Sequence, residues 1–250
     1  MIKKEGMEIV TLNIWRYFDW DRRKKKFLDF FKKQKADIVF LQEVAYDERL
    51  KDKWENQLGE INEVLNYEYT AYGKLRDMLK WHQEPITWKM HYGLGVLTNY
   101  PIVKKEPVIL PHVELDKDFG LLHMTIRTPK GDVHATNVHL ENTHSGSKEQ
   151  LRYILNWCKV RKIKPIIAGD FNMLITDTMK ELASEEYHIP YLIRPYKSFM
   201  PAAHTVTKVP ITLDYIIAHK DKFEMGGVRC VKTKISDHYP VVAKLEILEI

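Results

Sequence analysis

The stretch "KPIIAGDFN", Lys164 to Asn172, sets a short apolar run against a polar pair. Pro165 to Ala168 reads as a buried strand. Gly169 then lets the chain leave the sheet in a conformation that other residues resist. Asp170 and Asn172 stand together at the strand's end. A turn accounts for them simply, because Asp and Asn side chains bond their own backbone in turns. The functional alternative is a carboxylate and an amide held at the mouth of a sheet. One motif does not separate the two, so the other strand ends matter.

Periodicity and turn signals predict strands at Glu8–Ile14, Asp37–Leu41, Tyr67–Tyr72, Gly93–Thr98, Ile102–Leu110, Leu121–Thr128, Val133–Leu140, Leu213–Ala218 and Val241–Leu248, besides the Ile166 strand. Helices are predicted over Asp21–Lys35, Glu48–Leu65 and Lys148–Val160. "TPKGD" is a hairpin turn signal, while Gly73–Tyr92 and most of Leu182–Ile211 read as irregular. This mixture fits neither a βαβ repeat nor an all-β chain. It fits an α/β architecture of two packed sheets with helices outside.

Six strand ends carry polar groups. "EIVTLN" ends at Asn13 and "DIVFLQE" at Glu43, and "VHATNVHLEN" offers Asn137 and His139. "GDFN" gives Asp170 and Asn172, "ITLDYII" holds Asp214 inside an apolar run, and "KISDHYPVV" presents Asp237 and His238. Each alone has a structural explanation: a turn, a helix cap, a hydrogen-bonded core histidine. Together they are harder to dismiss, since a polar group at a buried strand end is costly unless satisfied. Such ends are also where α/β sheets place ligands. Glu43, Asp237, Asn13 and Asp170 are hard oxygen donors that suit Mg²⁺ or Mn²⁺ better than zinc. With histidines beside them, the set points to phosphoryl chemistry. The motifs of zinc proteases, zinc fingers, serine hydrolases and P-loop enzymes are absent.

The bulk properties agree. The 250 residues are 44% hydrophobic, enough for a sizeable core in one large domain or two small ones. No apolar run is long enough to span a membrane, and the N-terminus lacks the apolar region of a signal peptide. Cys158 and Cys230 are far apart, which argues against a disulfide framework and fits a reducing cytoplasm. A net charge of +5 is a mild bias toward anionic partners. The densest basic run, Arg22 to Lys26, reads as the solvated face of an amphipathic helix.

"TLNIW", "LQEV", "NVHLEN", "GDFN", "LDYI" and "SDHYPV", in this order, resemble the endonuclease/exonuclease/phosphatase superfamily with the deoxyribonuclease I-like fold. "GLGVLTNYPI" resembles its central strand pair, and the likeness runs from Met7 to Leu248. The resemblance implies a single domain over 1–250, a four-layer α/β sandwich of two mixed and largely antiparallel sheets flanked by helices. It also implies a divalent-metal-dependent phosphoric ester hydrolase. Glu43 would be the principal metal ligand, with Asn13 and Asp237 beside it. Asp170 and Asn172 would position water and phosphate. His139 and His238 would contact the scissile phosphate, and Asp214 would orient His238. Either Asp170 or His238 would activate water. His139 stands where exonuclease III-type abasic-site endonucleases usually carry tyrosine, which makes abasic-site repair a poorer fit.

Substrate choice belongs to the loops. Arg76, Lys80 and Lys89 with Trp81 and Trp88, and Arg194 further on, could neutralise phosphates and stack bases. They could equally meet a lipid headgroup surface, or the tryptophans could pack the loop down. The expectation is a monomeric nucleic-acid phosphodiesterase. A phosphatase or phospholipid phosphodiesterase is the alternative, with peripheral lipid contact left open. A non-catalytic binding module on this fold is disfavoured, because every motif keeps a chemically competent residue.

Overall fold

The computed structural model describes residues 6–50, 57–81, 84–174, 180, 183–193, 195–199 and 211–248. In chain order, β1 (Met7–Asn13), α1 (Trp20–Gln34), β2 (Ile38–Asp47), α2 (Gln57–Leu65), β3 (Tyr69–Asp77), the short strands β4 (Lys80–Trp81) and β5 (Glu84–Pro85), and β6 (Met90–Thr98) form the first half. The second half holds β7 (Ile102–Ile109), β8 (Gly120–Thr128), β9 (Gly131–His139), α3 (His144–Val160), β10 (Ile166–Asp170), β11 (Tyr187–His188), β12 (Asp214–His219), β13 (Phe223–Cys230) and β14 (Val241–Ile247). Two six-stranded sheets result, ordered β13-β14-β1-β2-β6-β3 and β11-β12-β10-β9-β8-β7. Each has one parallel pair near its centre, β1 with β2 and β9 with β10, and its other pairings are antiparallel.

Strand alternation builds the layers. Ile9, Ile38, Phe40 and Val96 of the first sheet face Leu122, Met124, Ile166 and Ile216 of the second. Their neighbours point outward: Val10, Leu12, Val39 and Leu41 meet Phe27 and Phe31 of α1 and Ile61 of α2. On the far side Val138, Ile167 and Ile217 meet Leu151, Ile154 and Trp157 of α3. The molecule is therefore a four-layer α/β sandwich. No helix among the described residues is long and apolar enough to cross a membrane.

Several boundaries differ from expectation, each for a local reason. β2 continues past Leu41 to Asp47 because a bulge between Leu41 and Val44 absorbs the break in its pairing with β6. β3 and β6 extend past Tyr72 and before Gly93 by pairing with each other, so Gly73–Tyr92 is far less irregular than predicted. β13 was hidden by its Gly226-Gly227 pair, which forms a bulge on an edge strand. α3 begins at His144, four residues early, because the Thr143 side chain accepts from Gly146 N at 3.1 Å and caps it. The described part of α2 begins only at Gln57.

The basic run also differs. Arg23 is buried rather than solvated, and Lys24 pairs with Glu60. Cys158 and Cys230 are both free thiols, buried and half-buried.

Candidate active site

The two parallel pairs end side by side, and their carboxyl ends carry most of the polar residues singled out above. In the second sheet Asp170 registers with His139 on one side and with Asp214 on the other. Three functional side chains thus lie abreast across β9, β10 and β12. Gly169 is required here for a different reason than leaving the sheet. It is still in β10, with φ +152°, and a Cβ there would stand 2.0 Å from Val138 O. The chain turns only at Asn172, whose φ is 48°.

Asp170 is pinned. Its Oδ2 accepts from Asn13 Nδ2 at 3.0 Å, joining the two sheets, and its Oδ1 accepts from Asn172 N at 2.9 Å. Two imidazoles flank Oδ2: His139 Nε2 at 3.7 Å and His238 Nε2 at 3.8 Å. His238 Nδ1 donates to Asp214 Oδ2 at 2.8 Å. That bond fixes the ring's tautomer and leaves Nε2 facing Asp170. Burial works to lower the His238 pKa, but the charges of Asp214 and Asp170 and the bond to Asp214 outweigh it and raise it to about 10. Burial also lowers His139 below its ordinary value, against the pull of Asp170 and Glu43, so that ring is neutral. Burial raises Asp170 above the usual carboxylate range, with His238 opposing.

Glu43 arrives from the first sheet. The β2 bulge puts it at φ 54°, a left-handed backbone that glutamate rarely adopts. Its Oε2 lies 2.8 Å from Arg16 Nε, yet the two atoms are not aligned as a hydrogen bond and each is buried without another. Charge attraction holds the two side chains together, and Arg16 N donates to Glu43 O at 3.2 Å. Although burial opposes it, Arg16, His139 and His238 keep Glu43 below its ordinary pKa and hence ionised. Asn13 Oδ1 accepts from Trp15 N at 3.0 Å. Asp237 is held by Ser236 Oγ at 3.0 Å, and the same hydroxyl donates to Asn13 O at 2.7 Å.

A pocket opens over this array, with Asn13, Glu43, His139, Asp170, Asn172 and His238 at its base. Arg76, Tyr92, Lys117, Phe119, Asn142 and Phe199 rise around it. Of the expected substrate-binding residues that are described, only Arg76 is among them. Lys80 and Lys89 are exposed elsewhere, and Trp88 carries the Arg49 guanidinium 3.9 Å from its ring centroid. Arg194 and the side chain of Trp81 lie outside the described residues. Asn137 is no part of the pocket. It donates to Leu41 O and Gly95 O at 2.9 and 3.0 Å and accepts from Gln42, tying the sheets together below it.

Two supporting residues escaped sequence reasoning. Arg23 donates to five carbonyls: Ile14, Trp15, Arg16, Phe18 and, across the chain, Ile235. It clamps the segment after Asn13 to the one before Asp237. Glu141, fully buried, accepts from the backbone N–H groups of Val113, Glu114 and Leu115 and anchors the loop that carries Lys117. The "NVHLEN" motif contained the second; nothing in a run of basic residues marked the first.

The donor set fits a hard divalent cation. Glu43 supplies an ionised, orphaned oxygen at the pocket base, with further carboxylate and amide oxygens around it. Asp170, Asp214 and His238 also place one ligand atom each within 4.8 Å of one another, so a buried group able to hold a metal is present.

Comparison with known proteins agrees on the fold. An endonuclease/exonuclease/phosphatase protein from Beutenbergia cavernae DSM 12333 superposes with a TM-score of 0.80 at 21% identity, over 98% of this chain and 72% of its own. A family protein from Leptotrichia buccalis C-1013-b gives 0.76 at 18%, over 96% and 100%. The mannosyl-6-phosphatase of Bacteroides thetaiotaomicron VPI-5482 gives 0.71 at 15%, over 96% and 99%. No curated protein matches the sequence. At these identities the structures speak for the fold. The sequence itself matches the model of the Endonuclease/Exonuclease/phosphatase family from residue 10 to residue 238, and the chain belongs to that family.

Proposed function

We propose that this chain hydrolyses phosphate esters with the help of Mg²⁺ or Mn²⁺. The observation that carries the reading is the line Asp214–His238–Asp170, in which one imidazole is bonded at 2.8 Å behind and faces a pinned carboxylate in front. Glu43, with Asn13 and Asp237, would hold the ion. The ion would supply charge neutralisation at the phosphate and polarise its bonds to oxygen.

The chain's own residues supply the rest. His238, held charged by Asp214, donates from Nε2 to a phosphate oxygen and so favours the charge that builds up there. Asp170, with its pKa raised, takes the proton from the attacking water. Water oxygen bonds to phosphorus as the ester P–O bond breaks, the leaving oxygen takes up a proton from solvent water, and Asp170 later returns its proton to solvent. Neutral His139 offers a second donor beside Asp170, packed edge-on against Phe119 at 5.6 Å. Asn172 Nδ2 is committed to Leu140 O at 2.8 Å, which steadies the turn that presents Asp170.

Within this class a nucleic-acid phosphodiester is the substrate we favour, on the net charge of +5 and on Arg76 and the exposed Lys117 in the pocket. A small phosphate ester is the second reading. It is favoured by the engagement of Trp88 with Arg49, which removes an expected stacking platform, and by the phosphatase that shares the fold. A panel of plasmid, single-stranded DNA, RNA, sphingomyelin, inositol and sugar phosphates tests both, with Mg²⁺, Mn²⁺ or chelator. Cleavage that survives excess chelator contradicts the metal requirement. Nucleic-acid affinity that is insensitive to salt contradicts the favoured substrate.

A further inference from the structure

The catalytic array leaves two cations of the same pocket without a task. Arg76 sits at the end of β3, where the strand bulges between Lys74 and Arg76. Its guanidinium lies 4.8 Å from the Tyr92 ring centroid and 5.6 Å from that of Phe119. Both rings are buried, so they form a fixed wall. Arg76 Nη1 is itself buried and has no hydrogen-bond partner. A guanidinium N–H removed from water and left unpaired is costly. An anion in the pocket would satisfy it.

Lys117 enters the same pocket from the loop before β8. That loop is built rather than slack. Glu141 accepts three of its backbone N–H groups, and Thr143 donates to Glu141 at 2.7 Å. The acids on either side of Lys117 are both turned to His112, Asp116 at 3.2 Å and Asp118 at 2.9 Å. Lys117 makes no ion pair with its own neighbours and remains exposed.

We propose that Arg76 and Lys117 form a subsite for a second phosphoryl group, beside the phosphate that is cleaved. The inference rests on the phosphoesterase reading for what happens at the pocket base, but not for binding at its wall. The second group is either a further phosphate on a small molecule or the next backbone phosphate of a nucleic acid strand.

The test is calorimetric binding to the metal-free full chain of two ligand pairs: glucose 6-phosphate against glucose 1,6-bisphosphate, and an unphosphorylated dinucleotide against its 5′-phosphorylated form. One pair should show a gain of at least about tenfold for the added phosphate, the worth of a charge-assisted contact. Lys117→Ala, on an exposed loop, should remove most of that gain, and Arg76→Gln should as well. A gain in the sugar pair identifies a small-molecule source; a gain in the dinucleotide pair alone identifies a strand. Equal affinities within both pairs overturn the subsite. So does a gain that survives Lys117→Ala, or an equal loss for both members of a pair, which would place these cations on the cleaved phosphate itself. A gain that depends on Lys117 in a protein that cleaves no ester with Mg²⁺ or Mn²⁺ supports the subsite and contradicts the proposed activity.

Discussion

The two parallel strand pairs are alike in topology and unlike at their ends. Where β9 and β10 finish, most polar atoms engage one another: Asp170 has both oxygens bonded and Asp214 Oδ2 bonds His238, while Asp214 Oδ1 and His139 Nδ1 stay buried without a partner. Where the pairing of β1 with β2 ends, Glu43 is in a strained backbone, its Oε2 has no hydrogen bond, and the Arg16 guanidinium meets it by charge, with Arg16 N bonded to Glu43 O at 3.2 Å. Glu43 lines the pocket with its unpartnered oxygen, whereas Asp214 sits behind His238 and lines none of it. In the proposed mechanism the second sheet handles protons and the first holds the cation.

The largest expected effect comes from breaking the second sheet's side. His238→Ala should lower turnover by about 10²–10⁴-fold, the usual worth of a positioned proton-transfer group. Asp214→Asn should cost less, because the ring stays while its tautomer is freed. The double variant should be little worse than His238→Ala, since the two act as a unit. Steady-state kinetics decide this, and losses that multiply would separate the pair.

The same bond has a stability signature. Because the folded pKa of His238 is raised to about 10, its contribution is fully present below the ordinary histidine value, about 6.5, and is lost as pH rises through about 10. Denaturant unfolding should therefore show wild type losing stability between those limits. Asp214→Asn should flatten the decline.

On the first sheet's side, Arg23 is what keeps the segment after Asn13 against the one before Asp237. Arg23→Met strands five carbonyl partners and should cost about 3 kcal/mol. In a chain of this size that is roughly 6–12 °C in Tm. An unchanged Tm would mean water replaces the clamp. The smallest effect belongs to the rim. Trp88→Ala should leave the KM for a short substrate within about twofold, since the ring packs under Arg49 and does not line the pocket over Glu43 and Asp170.

These contrasts also show what was legible in the sequence. Asp170, His139, Asp214 and His238 could be found because each stands beside or inside an apolar run; strand register then brings the first three together, and His238, just before β14, joins them through its bond to Asp214. Glu43 was legible as a residue, but its aim depends on a bulge that exists only once β2 pairs with β6. Arg23 was misjudged because its role lies in carbonyls as far away as Ile235, and a run of five basic residues looks the same whether or not one turns inward. Lys117 and Phe119 were missed for a similar reason: only Glu141, holding the loop by its backbone, makes an ordinary polar segment part of the pocket. The lysines near Trp88 erred the other way, since composition marked them and geometry leaves them outside.

The central claim is that the cation belongs to Glu43 and not to the cluster of Asp170, Asp214 and His238. Titrating Mn²⁺ into wild type, Glu43→Gln and Asp214→Asn, followed by electron paramagnetic resonance, tests it without any substrate. The account predicts that Glu43→Gln weakens Mn²⁺ binding by roughly 10–100-fold while Asp214→Asn changes it by less than about threefold, because the first removes ligand charge and the second alters a residue already bonded to His238. Loss of binding in Asp214→Asn with retention in Glu43→Gln would contradict it.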